Sequence, residues 1–241
     1  MQLAGVVRAV QAERYPDADV ILAAGSLFRG EGTATSDLDL VVLYASLPCA
    51  RRESFHAAGH PVEAFVHDPG TLEYFFSTDV ATGVPSLPRM VLEGVEVPDQ
   101  TEVSRAAKAR AEAVLAAGPP PLDVERERRM RYFVSDLIDD ARAPRSAAEL
   151  TAIGARLYEL LGDYHLRRLG RWSGKGKGLP RALAALDADL ATRYTDAFAR
   201  LFAHADAGQV IALAGELLAP AGGPLFDGYR ADAPADWRTP R

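Results

Sequence analysis

The first half of the chain alternates short apolar runs with polar turns, the pattern of a sheet interrupted by helices. The alternation changes to helical spacing from about Thr101, where Ala, Arg, Glu and Leu become dominant. In the first half the pattern predicts strands over 20–24, within 36–42, over 60–66 and from 95. It predicts helices over 2–14 and from 71, and a short helix that ends at Gly94. Residues 46–59 are predicted to form a polar excursion or a short helix.

From about Thr101 the pattern predicts helices only, interrupted by a rigid Pro119-Pro120-Pro121 segment that no helix can continue through. The helical spacing covers 106–115, 124–143, 147–169, 179–186, 189–204 and 207–218. These patterns predict an α+β protein with a helical bundle as its second domain. The expected divisions are a sheet-containing domain over 1–117, a helical bundle over 122–230 and a flexible tail over 231–241.

Two carboxylates stand two positions apart where the second strand begins. On a strand, Asp37 and Asp39 project from one face, while Leu38 and Leu40 point to the other face and the core. Like charges at this spacing repel one another, so the pair favours a bound cation. Carboxylate oxygens are the ligands that Mg²⁺ prefers, together with water and substrate phosphates.

Two further features accompany the acid pair. A Gly25-Ser26 turn follows the first strand, with Ser26 eleven positions before Asp37, and Glu63 stands between apolar residues in a later strand. Alone, the glycine and serine are an ordinary turn and the glutamate an ordinary solvated strand residue. Together, in this order and spacing, they resemble the signature of the polymerase-β-like nucleotidyltransferase superfamily.

That resemblance implies a mixed sheet domain followed by a helical domain, with the site in the cleft. It also implies that Asp37 and Asp39 hold Mg²⁺ at a nucleoside triphosphate and that Glu63 helps to hold a second ion at the attacking oxygen. All three acids are therefore candidate catalytic residues and metal ligands.

The phosphate-binding residues follow from the same resemblance. Gly25 would let the backbone approach a phosphate, the Ser26 hydroxyl would bond a phosphate oxygen, and Ser36 would orient Asp37 or cap the turn. The connection over 27–36 is expected to hold a short helix.

In the second half, one predicted helix places Asp136 and Asp140 one turn apart on one face. Such a pair is often a solvated helix face. The functional alternative is that these acids bind the amines of an acceptor or act as general base for its hydroxyl.

Residues 171–181 alternate glycines with lysines before a predicted helix. The segment resembles the Trp-Gly-Lys-Arg motif of some bacterial nucleotidyltransferases, which makes Lys177 and Arg181, and after them Lys175, candidate ligands of a triphosphate. It lacks the order of a Walker loop, and a flexible basic loop is the alternative.

The function implied is Mg²⁺-dependent transfer of a nucleoside monophosphate from a nucleoside triphosphate, with ATP as the expected donor, to a hydroxyl of a small molecule. The resemblance is to enzymes that modify aminoglycoside-type antibiotics, which would relate the protein to antibiotic resistance. A protein-modifying, antitoxin-like enzyme and a non-catalytic nucleotide-binding regulator are the alternatives, and the oligomeric state stays open.

Composition and charge narrow the choice of partners, cellular location and metal sites. The 241 residues carry a formal charge of −6, which argues against nucleic acid as a partner. No membrane span or signal segment is predicted, so a cytoplasmic location is expected. The single cysteine, Cys49, excludes an intramolecular disulfide. His56, His60 and His67 lack the spacing of a metal cluster.

Overall fold

A computed structural model describes residues 3–233 of the chain. The described residues form two compact units, divided between Pro119 and Pro120. The predicted tail over 231–241 falls mostly outside the described residues, which end at 233.

The first unit contains one mixed sheet of five strands in the order β3-β4-β2-β1-β5. The pair β2–β4 is parallel, and the other neighbours are antiparallel. The strands are β1 Val20–Ala24, β2 Leu38–Leu43, β3 Arg51–Ala57, β4 His60–His67 and β5 Val95–Val97.

Both faces of the central strands carry buried apolar side chains. Leu38 and Leu40 of β2 pack with the first helix on one face, and Val41 and Leu43 pack with later helices on the other. Since successive side chains of a strand alternate in direction, a strand buried on both faces appears as the continuous apolar run seen here.

Five helices accompany the sheet. They are α1 Leu3–Arg14, α2 Gly25–Phe28, α3 Pro69–Thr82, α4 Ser86–Glu93 and α5 Glu102–Ala117. The short helix expected within 27–36 begins earlier, at Gly25, and ends at Phe28. Helix α3 begins at Pro69 rather than Thr71, because Asp68 caps it: the Asp68 carboxylate accepts the Thr71 N–H at 2.8 Å in a capping box.

The prediction of a polar excursion or short helix over 46–59 is wrong for residues 51–57, which form strand β3. Ala58 and Gly59 both have positive φ, of 48° and 83°. Two such residues form the tight turn that matches the twist of an antiparallel hairpin, and they join β3 to β4. The strand escaped prediction because it lies at the sheet edge, where polar residues replace the apolar alternation.

The second unit is helical. Its helices are α6 Val124–Arg142, α7 Ala147–Arg168, α8 Gly178–Leu186, α9 Ala188–His204 and α10 Gly208–Leu218, followed by a 3₁₀ turn at Ala219–Ala221. Their buried faces form one apolar core with Leu157, Tyr194 and Phe198 among its fully buried side chains. The predicted α+β class is confirmed. Within 3–233, no helix has the length and apolar content that crossing a membrane would require.

Replacing Asp68 with Ala tests how α3 is fixed. The carboxylate accepts backbone N–H groups of Thr71 at 2.8 Å and of Leu47 at 2.9 Å. We expect Asp68→Ala to lower the free energy of unfolding by about 1–2 kcal/mol at pH 7, measured by urea denaturation followed by circular dichroism. Asp68→Asn, which keeps an acceptor oxygen, should lose less.

The loss of stability caused by Asp68→Ala should also depend on pH. The hydrogen bond from the Thr71 backbone holds the pKa of Asp68 below its usual value. A lowered pKa in the folded state gives stability that is present above the unfolded pKa of about 3.9 and is lost as the pH falls through the folded value. The difference between wild type and Asp68→Ala should therefore shrink in acid, and a constant difference down to pH 3 would contradict this account.

Candidate metal centre

Three carboxylates from two neighbouring strands converge at one end of the sheet in the first unit. Strands β2 and β4 run parallel, with Asp39 directly beside Glu63. Residues paired in this way point to the same face of a sheet. Asp37 lies just before β2, and each of the three side chains places an oxygen within 4.8 Å of the others. We refer to Asp37, Asp39 and Glu63 as the acid triad.

The chemistry of the acid triad fits a divalent cation. All three side chains are half-buried, so they are accessible to an ion and partly shielded from water. Mg²⁺ binds oxygen at about 2.0–2.1 Å, which places oxygens on one ion within about 4.2 Å of each other. The observed spacing is close to that limit, so small side-chain movements would let the acid triad bind one ion or share two. Within 3–233, no other group of three His, Cys, Asp or Glu side chains is spaced for a metal ion.

Gly25 makes room for the Asp39 carboxylate. Strand β1 lies beside β2 with Ala24 paired to Asp39, so the chain turns at Gly25 directly next to that side chain. Gly25 has a φ of +80°, and a Cβ at this position would lie 2.0 Å from Asp39 Oδ2. Both the backbone conformation and the contact therefore require glycine.

A compact loop connects Gly25 to the acid triad. The Ser26 hydroxyl donates to Ser36 Oγ at 3.2 Å, and Ser36 Oγ also accepts the Thr33 N–H at 2.8 Å. The Glu31 N–H donates to the Ser26 carbonyl at 2.9 Å. The structure therefore brings Ser26 and Ser36 into contact immediately before Asp37.

Arg52 of β3 is a residue that the sequence analysis missed. Its Nη2 lies 2.7 Å from both carboxylate oxygens of Glu63, and its guanidinium lies 5.0 Å from the centre of the Phe65 ring. The bond orients Glu63 and offsets part of the negative charge of the acid triad. The Gly59 turn was the signal that could have placed Arg52 on a strand beside Glu63.

The histidines do not join the acid triad. His56 and His60 lie at the turn between β3 and β4, whereas His67 is buried at the other end of β4. Burial lowers the pKa of His67, and the nearby Asp68 partly opposes this effect. His67 is therefore neutral at neutral pH.

The other candidates belong to the second unit. Asp136 is half-buried and Asp140 exposed, both on α6. Lys175 and Lys177 are exposed in the loop before α8, and Arg181 lies in the first turn of that helix. The loop is tightly folded, since the Gly178 N–H donates to the Lys175 carbonyl at 2.9 Å and a Cβ on Gly174 would meet the Gly178 backbone at 2.4 Å.

Replacing Gly25 with Ala should disrupt the metal centre while leaving the three carboxylates in the chain. The new methyl group would displace the Asp39 side chain, and we expect Mn²⁺ affinity to fall about 10- to 100-fold in calorimetry. Gly30→Ala is the matched control, because Gly30 has a φ of +75° but nothing within 4 Å of a Cβ. It carries the same backbone cost, about 1–2 kcal/mol, and should keep wild-type Mn²⁺ affinity. Equal losses in both variants would contradict the proposed role of Gly25.

Comparison with known proteins gives little beyond this geometry. No family model matches the sequence, and no curated protein matches it. The structure is similar to the crystal structure of a nucleotidyltransferase-like protein from Exiguobacterium sibiricum 255-15, with a TM-score of 0.44 and 14% sequence identity over 90% of this chain and 74% of that chain. A similarity this low defines neither the fold family nor the function of the chain.

Proposed function

We propose that the protein is a Mg²⁺-dependent nucleotidyltransferase of the polymerase-β-like superfamily. It would transfer a nucleoside monophosphate from a nucleoside triphosphate, with ATP as the expected donor, to a hydroxyl of a small molecule. The observation that carries the proposal is the convergence of Asp37, Asp39 and Glu63 beside the turn at Gly25 and Ser26.

In this reaction the acceptor oxygen forms a bond to the α-phosphorus and pyrophosphate leaves. The acid triad would hold Mg²⁺, two ions being expected, which when bound supply Lewis acidity and offset the charge of the phosphates. The backbone at Gly25 would contact phosphate oxygens, and the Ser26 hydroxyl would turn its one O–H from Ser36 Oγ to one of them. Arg52 fixes the direction of the Glu63 carboxylate.

The basic loop of the second unit has a role in the same proposal. Lys177, Arg181 and then Lys175 would contact the triphosphate, since their charges are exposed and the tight loop limits their freedom. On the helical face, Asp136 and Asp140 would bind the acceptor, through its amines if it is aminoglycoside-like, or remove the proton from its hydroxyl.

The alternatives are less well supported. A non-catalytic regulator is disfavoured because all three carboxylates are present and converge. A nucleic-acid acceptor is disfavoured by the charge of −6. A protein acceptor, as in an antitoxin-like enzyme, stays an alternative for the same chemistry.

Replacing Asp39 with Asn tests the proposal directly. The amide has the size of the carboxylate but not its charge, so the metal should be lost and the fold kept. We expect metal-dependent triphosphate binding, measured by calorimetry with each of the four common ribonucleotides, to disappear and pyrophosphate release to fall at least about 100-fold. Asp99→Asn, which removes an exposed carboxylate outside the acid triad, should behave as wild type. Retained turnover in Asp39→Asn would refute the site.

Replacing Lys177 with Ala tests the basic loop. Loss of a charged hydrogen bond costs about 1.5–3 kcal/mol, so the triphosphate Kd should rise about 10- to 100-fold while Mn²⁺ affinity stays constant. Arg156→Ala removes one positive charge from an exposed site on α7 and is the control. If both variants weaken binding equally, the loop has no specific role.

A further inference from the structure

A second feature of the first unit lies beside the acid triad. A pocket of 530 Å³ opens between strands β3 and β4 and helices α3 and α4. Phe65 and His67 line it from β4, Phe75 from α3, and Leu87 and Met90 from α4. No residue of the acid triad lines it, so it is a separate space with its own chemistry.

Strand β4 connects the pocket to the acid triad. Val62, Ala64 and Val66 of this strand pack into the core on one face, so Glu63, Phe65 and His67 share the other face. Arg52 links the two spaces, because it lines the pocket and contacts both oxygens of Glu63 at 2.7 Å. The pocket therefore adjoins the acid triad, with the Arg52 side chain between them.

The order of the strands places the turn at Gly25 and Ser26 and the pocket on opposite sides of Asp39. Strand β2, which carries Asp39, lies between β1 and β4. Gly25 and Ser26 follow β1, on one side of Asp39, and the pocket lies on the other side, next to Glu63. A triphosphate at Gly25 and Ser26 would leave the Glu63 side open to the attacking molecule.

The lining of the pocket selects a planar apolar group. The rings of His67 and Phe75 meet edge to face with centroids 5.2 Å apart, and Phe65 lies below the Arg52 guanidinium. Because burial keeps His67 neutral at neutral pH, this part of the lining carries no charge. Aromatic walls of this kind bind planar rings by stacking and edge contacts.

The charges around the pocket disfavour a polycation. Two arginines, Arg51 and Arg52, line the pocket, and each is paired with a glutamate outside it: Arg51 Nε lies 3.3 Å from Glu53 Oε1, and Arg52 bonds Glu63. The one acid among the lining residues is Asp79. Asp79 Oδ2 accepts the Leu87 N–H at 2.7 Å, which occupies that oxygen at the start of α4. The lining thus offers the amines of an aminoglycoside a single acid beside two arginines, which suits a neutral or anionic group better than a polycation.

We propose that this pocket binds the planar aromatic part of a hydroxylated acceptor that is neutral or anionic, with its hydroxyl directed toward Glu63. The inference rests on the proposed nucleotidyl transfer. The acceptor oxygen forms a bond to the α-phosphorus, the bond between that phosphorus and the bridging oxygen breaks, and pyrophosphate leaves with the electron pair. The hydroxyl proton passes to a carboxylate base and from there to solvent.

The probe is 6-hydroxynaphthalene-2-sulfonate, which is planar, anionic and hydroxylated. Ala50→Trp fills the pocket from the loop before β3. The control is Ala106→Trp, which fills a second apolar pocket of 460 Å³ that is lined by α3 and α5 and shares no residue with the first. Calorimetry without nucleotide should give binding by wild type and Ala106→Trp, and at least tenfold weaker binding by Ala50→Trp, with circular dichroism checking that each variant is folded.

Absence of probe binding in wild type, or equal affinity in wild type and Ala50→Trp, would overturn the assignment of the pocket. Probe binding needs no nucleotide, whereas metal-dependent triphosphate binding by wild type is measured separately, so failure of the pocket and failure of the proposed function give different results. With ATP and Mg²⁺, the probe should stimulate pyrophosphate release more than kanamycin does. If kanamycin stimulates pyrophosphate release and the probe does not, and if this stimulation is the same in wild type and Ala50→Trp, the acceptor binds outside the pocket.

Discussion

The parallel pairing of β2 with β4 is the constraint on which the candidate site depends, because it holds Asp39 directly beside Glu63. Their oxygens lie within 4.8 Å of each other, so two unit charges there repel by about 3 kcal/mol or more at an effective dielectric constant near 20. The fold tolerates this repulsion through the apolar contacts of both strands and the bond from Arg52 to Glu63. Such an arrangement is stabilised further by a cation, which is why it suggests a metal centre.

The apolar residues on the opposite face fix that pairing. Leu38 and Leu40 of β2 and Val62 and Ala64 of β4 are buried together, so a slip of one residue would move them to the face of the acid triad and turn the acids into the core. The same core that stabilises the sheet therefore positions the chemistry. Gly25 adds the second condition, since only a residue without a Cβ leaves space for the Asp39 carboxylate.

Arg52 connects the edge strand β3 to both the acid triad and the pocket. It bonds Glu63 on one side and covers Phe65 on the other, so the charged centre and the apolar pocket share one side chain. A movement of Arg52 would change both the charge at the acid triad and the access to the pocket. Binding of a cation at Glu63 and of a ring at Phe65 would then influence each other through the same guanidinium.

The sequence by itself determined the α+β class and the helices of the second half, because these depend on periodicity, and the pairing of Asp37 with Asp39, because it depends on spacing along one strand. Glu63 was assigned to the same site by the resemblance to the nucleotidyltransferase signature. The spacing of Asp37 and Asp39 needed no tertiary information, and the apolar neighbours of Glu63 indicated a strand. Only the tertiary structure decided the positions of Arg52 and of the pocket relative to the acid triad. Strand β3 is a polar edge strand whose backbone partners come from β4, and the pocket joins side chains from two strands and two helices that follow one another between Ala50 and Met90. Contacts of this kind follow from strand order and register, which local periodicity does not encode.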